Sequence, residues 1–332
     1  MRSKIIWIII TGLLVGGAVL CGLRWKAWFV TPPEPKWVGD TIDYRFSTFA
    51  NEDVCARLQK DTLEFILFGD IHNSLNNSDM ANIFAAHNDI DFYAQIGDWM
   101  DRPYFYHEQM MYQSLVGTGF DSLPIIACPG NHEYKKGLVK NLFERWQDIF
   151  PNPTNGPTRF VGRTYFVDFP HLRIVVIDTD GLQRFSDYTQ LNFWVKNALY
   201  SVPNKMKIVM MHHPVFSTAK GRQNPVIWSA FYGAFREANV VFSGHDHNYV
   251  RRTVEYKERF WSEQQPTVFI ATNASNKEYP VKENINSINC FSSEPVYQWI
   301  QSTPDRLYIR TYNVHSSALI DEVVVSKFLP NN

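Results

Sequence analysis

The chain has 332 residues, a formal net charge of −1 and 45% hydrophobic residues. That apolar content supports a sizeable globular core, and a near-neutral chain with scattered Lys and Arg excludes nucleic-acid binding driven by charge. Four cysteines without thiolate-zinc spacing exclude a Cys-based zinc module.

In chain order, the N-terminus stands apart. Residues 5–23 carry no charge and are almost all apolar, with Arg2 and Lys4 before them and Arg24 and Lys26 after. As a helix at ~1.5 Å per residue the run would span roughly 28 Å, enough for a bilayer core. It is longer than a secretory h-region. Ala18-Val19-Leu20-Cys21 also fits neither a small-x-small cleavage site nor a lipoprotein box. Residues 1–30 are therefore expected to be a cytoplasmic tail and an uncleaved, single-pass membrane anchor. Trp25, Trp28 and Phe29 would lie at the interface as aromatic anchors. Lys and Arg are balanced across the span, so orientation rests on the short tail. A short tail is most simply inside, which exports the following domain to a periplasmic, extracellular or lumenal space. Residues 31–40, opening on Thr31-Pro32-Pro33-Glu34-Pro35, read as a stiff extended linker. Residues 41–330 are expected to form one folded domain.

Within that domain, strands are expected at 63–68, 92–96 and 124–128, with helices at 80–86 and 138–149. A strand pair at 165–169 and 172–177 turns at Pro170-His171. A helix at 190–199, a strand at 207–211, a helix at 227–237 and a strand at 240–242 follow. After Val250 the pattern changes to strands, at 267–271, 306–312 and 322–325. Strand–helix alternation with a β-rich tail predicts an α/β fold of two packed sheets flanked by helices. Cys128 lies in an apolar run and reads as a core residue. Cys55 and Cys290 can pair in an oxidising compartment or stay as two free thiols.

Five short motifs carry the chemistry. They are Gly69-Asp70-Ile71-His72, Gly97-Asp98-Trp99-Met100-Asp101, Gly130-Asn131-His132-Glu133, His212-His213-Pro214 and Gly244-His245-Asp246-His247. Each falls just past the C-terminal end of an apolar strand, where ligands of α/β sheets bind. Asp70 and His72 can grip one metal if the chain turns at Gly69. Asp98 follows Gly97 in the same way, and a carboxylate has two oxygens with which to bridge two cations. Asn131 adds a neutral oxygen; His212, His245 and His247 add imidazoles. A nitrogen-and-oxygen set suits Mn, Fe, Zn, Co or Ni rather than Ca.

These motifs, in this order over residues 60–255, resemble the calcineurin-like metallophosphoesterases. The resemblance implies that family's four-layer α/β/β/α sandwich of two mixed sheets. It also implies two divalent or trivalent transition-metal ions (Mn, Fe or Zn). The first would be held by Asp70, His72, Asp98 and His247, the second by Asp98, Asn131, His212 and His245, with Asp98 as the bridge. His212 is chosen over His213 because the family's ligand stands two residues before proline. His132 would protonate the leaving group, oriented by the Asp101 carboxylate, and Arg102 would clamp phosphate. The implied activity is hydrolysis of a phosphate ester by a metal-bridging hydroxide, with the cations stabilising charge on the phosphoryl oxygens. Monoester and diester substrates both stay open.

Gly244-His245-Asp246-His247-Asn248-Tyr249 with Arg251, residues 165–168 and residues 190–199 are similar to the exported purple acid phosphatases. That branch carries a metal-binding tyrosine where this chain has Asp101, and His72 is a second departure. Both departures match the protein-phosphatase and nuclease branches, so tyrosinate-to-iron colour is not expected. Glu133 and His213 read as supporting or packing residues, and Asp246 and Asn248 as turn residues. His87, His107, His171 and His315 match no motif. Asn76-Asn77-Ser78 and Asn273-Ala274-Ser275 fit a glycosylation sequon. No Gly-x-Ser-x-Gly elbow or P-loop is present. A non-catalytic binding scaffold of the same fold is the rival from another class; such members show eroded ligand motifs, and none is eroded here. Substrate choice is expected to depend on loops at 104–118, 150–163 and 218–225.

Overall fold

The structure is a computed structural model that describes residues 45–102, 105–134, 142–185, 188–256, 266–282 and 288–327. The expected tail, anchor and linker at 1–40 lie outside these residues. Among the described residues no helix is long and apolar enough to cross a membrane.

Two mixed sheets form the centre. In the first, β1 (Leu63–Phe68), β2 (Phe92–Ile96) and β3 (Ile125–Cys128) run parallel. Beside β1 lie β11 (Val296–Ser302), β12 (Arg306–Asn313) and β13 (Leu319–Ser326), each antiparallel to its neighbour, in the order β13-β12-β11-β1-β2-β3. In the second sheet β5 (Leu172–Ile177), β6 (Met206–Met211), β7 (Val240–Ser243) and β9 (Thr267–Ala271) are parallel. Antiparallel β4 (Tyr165–Asp168) closes one side, and β8 (Tyr249–Val254) with β10 (Cys290–Ser292) closes the other.

Side-chain alternation sorts the layers. Phe65 and Leu67 of β1 pack with Ile174, Val176, Ile208 and Met210 between the sheets. Ile66 and Phe68 point the other way, onto Met80 and Ile83 of α2 (Asn77–Ala86) and Met111 and Leu115 of α3 (Phe105–Leu115). On the far sheet Val175, Ile177, Val209 and Met211 pack with Leu191 and Val195 of α6 (Tyr188–Tyr200) and Phe231 and Phe235 of α7 (Pro225–Phe235). Helices therefore cover both outer faces. The parallel strands are buried on both sides, which is why they read as unbroken apolar runs. Among the described residues there are three further short α-helices: α1 (Glu52–Arg57), α4 (Leu142–Ile149) and α5 (Thr179–Phe185).

Local chemistry places the helix starts. Asn76 caps α2 in a capping box with Asp79, so the first sequon's asparagine is an N-cap. Asn51 caps α1, and Pro225 opens α7. One expected loop is not a loop: residues 105–115 form α3, because Met111 and Leu115, one turn apart, bury against Phe120 and Tyr93. Strands β8, β10 and β11 were not anticipated. Cys55, Cys128 and Cys290 are free thiols.

Candidate metal centre

The loops that leave β1, β2, β3, β6 and β7 at their C-terminal ends converge on one cleft. Each turn is sharp. Asp70, His72, Asn73, Asp98, His245 and His247 have φ between 47° and 72°. A non-glycine residue in this left-handed region costs on the order of 1 kcal/mol or more, and Asp, Asn and His tolerate it best. That conformation is what turns consecutive side chains back over the strand ends. Gly97 makes the closest approach: a Cβ there would stand 2.6 Å from both His212 Nδ1 and the Cα of Gly130. The strand-end loops are packed against each other too tightly for any side chain at that position.

Ligand-type atoms gather in two overlapping groups. Asp70, His72, Asp98 and His247 form one; Asp98, His212 and His245 form the other. Asp98 belongs to both. Its Oδ2 lies 3.6 Å from His72 Nε2 on one side and 3.3 Å from His212 Nε2 on the other. In the first group His72 Nε2 is 3.0 Å from His247 Nε2, which is 3.7 Å from Asp70 Oδ1. In the second, Asn131 Oδ1 sits 3.1 Å from His212 Nε2 and 2.9 Å from His245 Nδ1. All seven expected ligand residues thus come together, and all but Asn131 and His245 are almost fully buried.

The arrangement fits cations. Asp70 Oδ1 is buried without a hydrogen-bond partner among the described residues. Imidazole nitrogens, carboxylate oxygens and an amide oxygen face one another here, an arrangement that costs free energy unless a proton or a cation lies between them. Burial, together with the charge of Asp98, pushes the Asp70 carboxyl well above its ordinary range. Burial also works against ionised Asp98, but His212, His132 and His72 outweigh it and hold that carboxyl well below its usual range. Burial would lower His212 too; Asp98 and Asp70 overcome it and push the imidazole up to about 10. Burial drives His72, His245 and His247 down. A buried imidazole that retains a proton to this extent marks a place where positive charge is required. A metal ion held by these residues would supply that charge in place of the proton.

Second-layer contacts fix the ligands. His212 Nδ1 donates to the Ile96 carbonyl at 3.1 Å, leaving Nε2 toward the cleft. His245 N donates to Asp70 Oδ2 at 2.7 Å. Glu133 accepts the backbone N–H groups of Asp98 and Gly130 at 2.8 Å and of Met100 at 3.2 Å. Thr179 bonds both the backbone N and the Nδ1 of His213, placing that ring beside His245 rather than among the ligands. Asp246 accepts from Ser217 Oγ and from the N–H groups of Thr218 and Ala219.

The third group is His72, Asp101 and His132. His132 N donates to Asp98 Oδ1 at 2.7 Å, and its Nε2 lies 3.8 Å from Asp98 Oδ2. The orienting contact differs from the expected one. His132 Nδ1 is 2.6 Å from the backbone carbonyl of Asp101, whereas the Asp101 carboxylate is 3.9 Å away. That carboxylate is turned to Lys277 and stands 3.4 Å from His72 Nδ1. Arg102 is half-buried; burial, with a smaller contribution from the Arg102 charge, lowers the His107 imidazole from its ordinary value.

Several supporting residues carried no sequence signal. Asn73 accepts from Asp101 N at 2.9 Å and from His107 Nδ1 at 2.8 Å, so His107, assigned no role from the sequence, helps place Asp101. Lys277, Tyr279 and Arg222 border the cleft from segments outside every motif. The signal that could have pointed to His107 is its place four residues before Met111 on an amphipathic helix.

A family profile for calcineurin-like phosphoesterases matches residues 63–249, the span that holds all five motifs. The chain belongs to this family. No curated protein matches it. Among solved structures, this phosphoesterase-family chain is similar to the purple acid phosphatase PPD1 from yellow lupin seeds. That match has 16% identity and a TM-score of 0.59, over 81% of this chain and 54% of that one. The chain therefore spans about half the length of the lupin protein. It is similar also to GAP50, described as the anchor in the inner membrane complex of Plasmodium, at 13% identity and a TM-score of 0.60, over 81% of this chain and 90% of that one. PhoD is a third, at 12% identity and a TM-score of 0.54, over 81% and 70% of the two chains. Identities this low show a shared fold and nothing finer.

Proposed function

We propose that the chain hydrolyses phosphate esters with two transition-metal ions. One would be held by Asp70, His72, Asp98 and His247, the other by Asp98, Asn131, His212 and His245. The observation that carries this reading is the Asp98 carboxylate, one oxygen of which stands between the imidazoles of both groups. Bound cations there would supply Lewis-acid stabilisation of the phosphoryl oxygens and an acidified water. The chain's own residues do the rest. Asp98, which belongs to both groups, and Asp70 would supply negative charge to offset the cations. His132, fixed through Nδ1 by the Asp101 carbonyl, presents Nε2 to a leaving-group oxygen and gives it a proton. Arg102 is a candidate phosphate clamp, since a guanidinium fork matches phosphate oxygens. Nitrogen and oxygen ligands support Mn, Fe or Zn without choosing among them.

Metal reconstitution tests the reading. The purified chain should take up about two equivalents of Mn, Fe or Zn. Chelation should abolish turnover of p-nitrophenyl phosphate or its bis ester, and metal return should restore it. Elemental analysis that finds no transition metal after reconstitution overturns it.

Membrane anchoring through residues 5–23, with the catalytic domain exported, belongs to the same proposal. It is supported by the length and flanking charges of that run. The full chain should stay with membranes through alkaline carbonate washing. Uncleaved protein wholly in the soluble fraction rejects the anchor.

A further inference from the structure

The segment that follows β9, Thr272-Asn273-Ala274-Ser275-Asn276-Lys277-Glu278-Tyr279-Pro280, belongs to none of the five motifs. It nevertheless forms a wall of the cleft, and it is fixed there by contacts that do not involve Lys277's charge. Thr272 N donates to the Ser243 carbonyl at 2.8 Å and Ala274 N to the Gly69 carbonyl at 2.6 Å, the residues leading into two of the metal-site turns. Asn273 is fully buried. Its Nδ2 donates to the carbonyls of Ser275 and Lys277 at 2.8 and 3.2 Å, and its Oδ1 accepts from Ser275 N and Oγ. Asn273 of the second sequon thus shapes the loop from inside. At the far end Lys220 N donates to the Pro280 carbonyl at 2.7 Å and Lys282 N to the Thr218 carbonyl at 2.9 Å.

This rigid wall carries a cation to the cluster. Lys277 Nζ contacts Asp101 Oδ1, the same oxygen that lies 3.4 Å from His72 Nδ1 and 3.9 Å from His132 Nδ1. The ammonium therefore stands at the mouth of the site, beside the imidazole assigned to the leaving group. It has three N–H donors, of which Asp101 takes one among the described residues, and its side chain is 42% exposed. Two residues on, the Tyr279 ring lies 4.4 Å from that of His247, and the Arg222 guanidinium carbon lies 4.1 Å from the centre of the Tyr279 ring.

We propose that Lys277 binds the phosphoryl group of the substrate and gives this site a preference for phosphate monoesters over diesters. The inference rests on the hydrolase reading above and names its substrate class. Near pH 7 a monoester carries between one and two negative charges, its second pKa being about 6, whereas a diester carries one. Attraction to a fixed cation scales with ligand charge, so an ammonium at the cleft mouth gains more from the monoester. Asp101 holds the ammonium in place and takes one of its three donors. Because the loop is already held by Asn273, Thr272 and Ala274, an ion pair solely to fold it is unnecessary.

The test uses the metal-loaded full chain. Wild type, Lys277→Ala and Lys277→Arg are compared for turnover of p-nitrophenyl phosphate and bis(p-nitrophenyl) phosphate, for inorganic phosphate binding by calorimetry, and for metal content. Lys277→Ala should weaken phosphate binding and raise KM for the monoester by about tenfold or more, the loss expected for one charged hydrogen bond. Diester kcat/KM should change by less than about threefold, metal content should be unchanged, and Lys277→Arg should recover most of the monoester KM. A merely structural lysine would lower monoester and diester turnover together; that result, or unchanged phosphate affinity, overturns the assignment. If wild type turns over neither ester, the hydrolase reading fails by itself, and the phosphate titration still decides the role of Lys277.

Discussion

Asp98→Asn should lower phosphoester turnover by a factor on the order of 10³ and eliminate stable binding of the second metal ion. The reason is geometric. Asp98 is the residue shared by both ligand groups, with Oδ2 3.6 Å from His72 Nε2, 3.3 Å from His212 Nε2 and 3.8 Å from His132 Nε2. An amide has the carboxylate's shape but one oxygen, half the coordinating capacity and no charge. Its NH₂ group would face cations or imidazole lone pairs. The metal-free protein should respond as well. Burial works against the Asp98 charge, but His212, His132 and His72 outweigh it and hold the carboxyl well below its usual range, so in the folded metal-free chain the charge is stabilising. Removing it should therefore lower the metal-free Tm, because His212 loses the partner that keeps it charged, and the rise in Tm that metal confers on wild type should be lost as well. Turnover, metal content and Tm with and without metal measure all three. A variant with wild-type turnover and two bound metals would eliminate the bridging role.

The residues that gather in the cleft were legible in the sequence because of where they stand. Each follows a strand buried on both faces, and such a strand is a plain apolar run ending at the residue that turns. Asp and His are also side chains that tolerate the left-handed backbone adopted by Asp70, His72, Asp98, His245 and His247, so at those positions conformation and chemistry select the same residue types. Strand β11 was invisible for the opposite reason. It sits beside β1 at the centre of its sheet, yet it buries Gln298 and Ser302 and so breaks the apolar pattern. Arg251 and Arg252 hid β8 in the same way. Arg251 is paired with Asp321 of β13, a partner set by folding and absent from its sequence neighbourhood. Lys277 could not have been found by pattern at all. Its contact with Asp101 joins residues 176 positions apart, and the loop that presents it is shaped by the inward-facing Asn273 side chain rather than by any period. Periodicity reports burial, and it says nothing about which loop meets which across a cleft.

Glu133→Ala should cost about 3 kcal/mol of stability, even though Glu133 coordinates nothing in the proposed site. The side chain is almost fully buried, and its carboxylate accepts three backbone N–H groups: Asp98 and Gly130 on Oε2, Met100 on Oε1. Alanine leaves all three donors buried and unpaired, at about 1–3 kcal/mol each. One effect opposes this. Burial, reinforced by Asp98, pushes Glu133 up to about 7, so losing the charge returns part of the cost. Three orphaned donors outweigh it. For a domain of this size the balance should lower Tm by roughly 6–12 °C. Glu133→Gln should fall between, because an amide oxygen can keep the Asp98 and Gly130 N–H groups only by setting its NH₂ against the N–H of Met100. Turnover should fall more steeply than stability in both variants. Asp98 holds a φ of 55°, a conformation that persists only where its surroundings impose it, and Glu133 is the group that holds the Asp98 N–H in place. Thermal unfolding of the metal-free and metal-loaded variants separates the two effects. An alanine variant that melts with wild type in both forms would mean the loops leaving β2 and β3 are positioned by something other than this carboxylate.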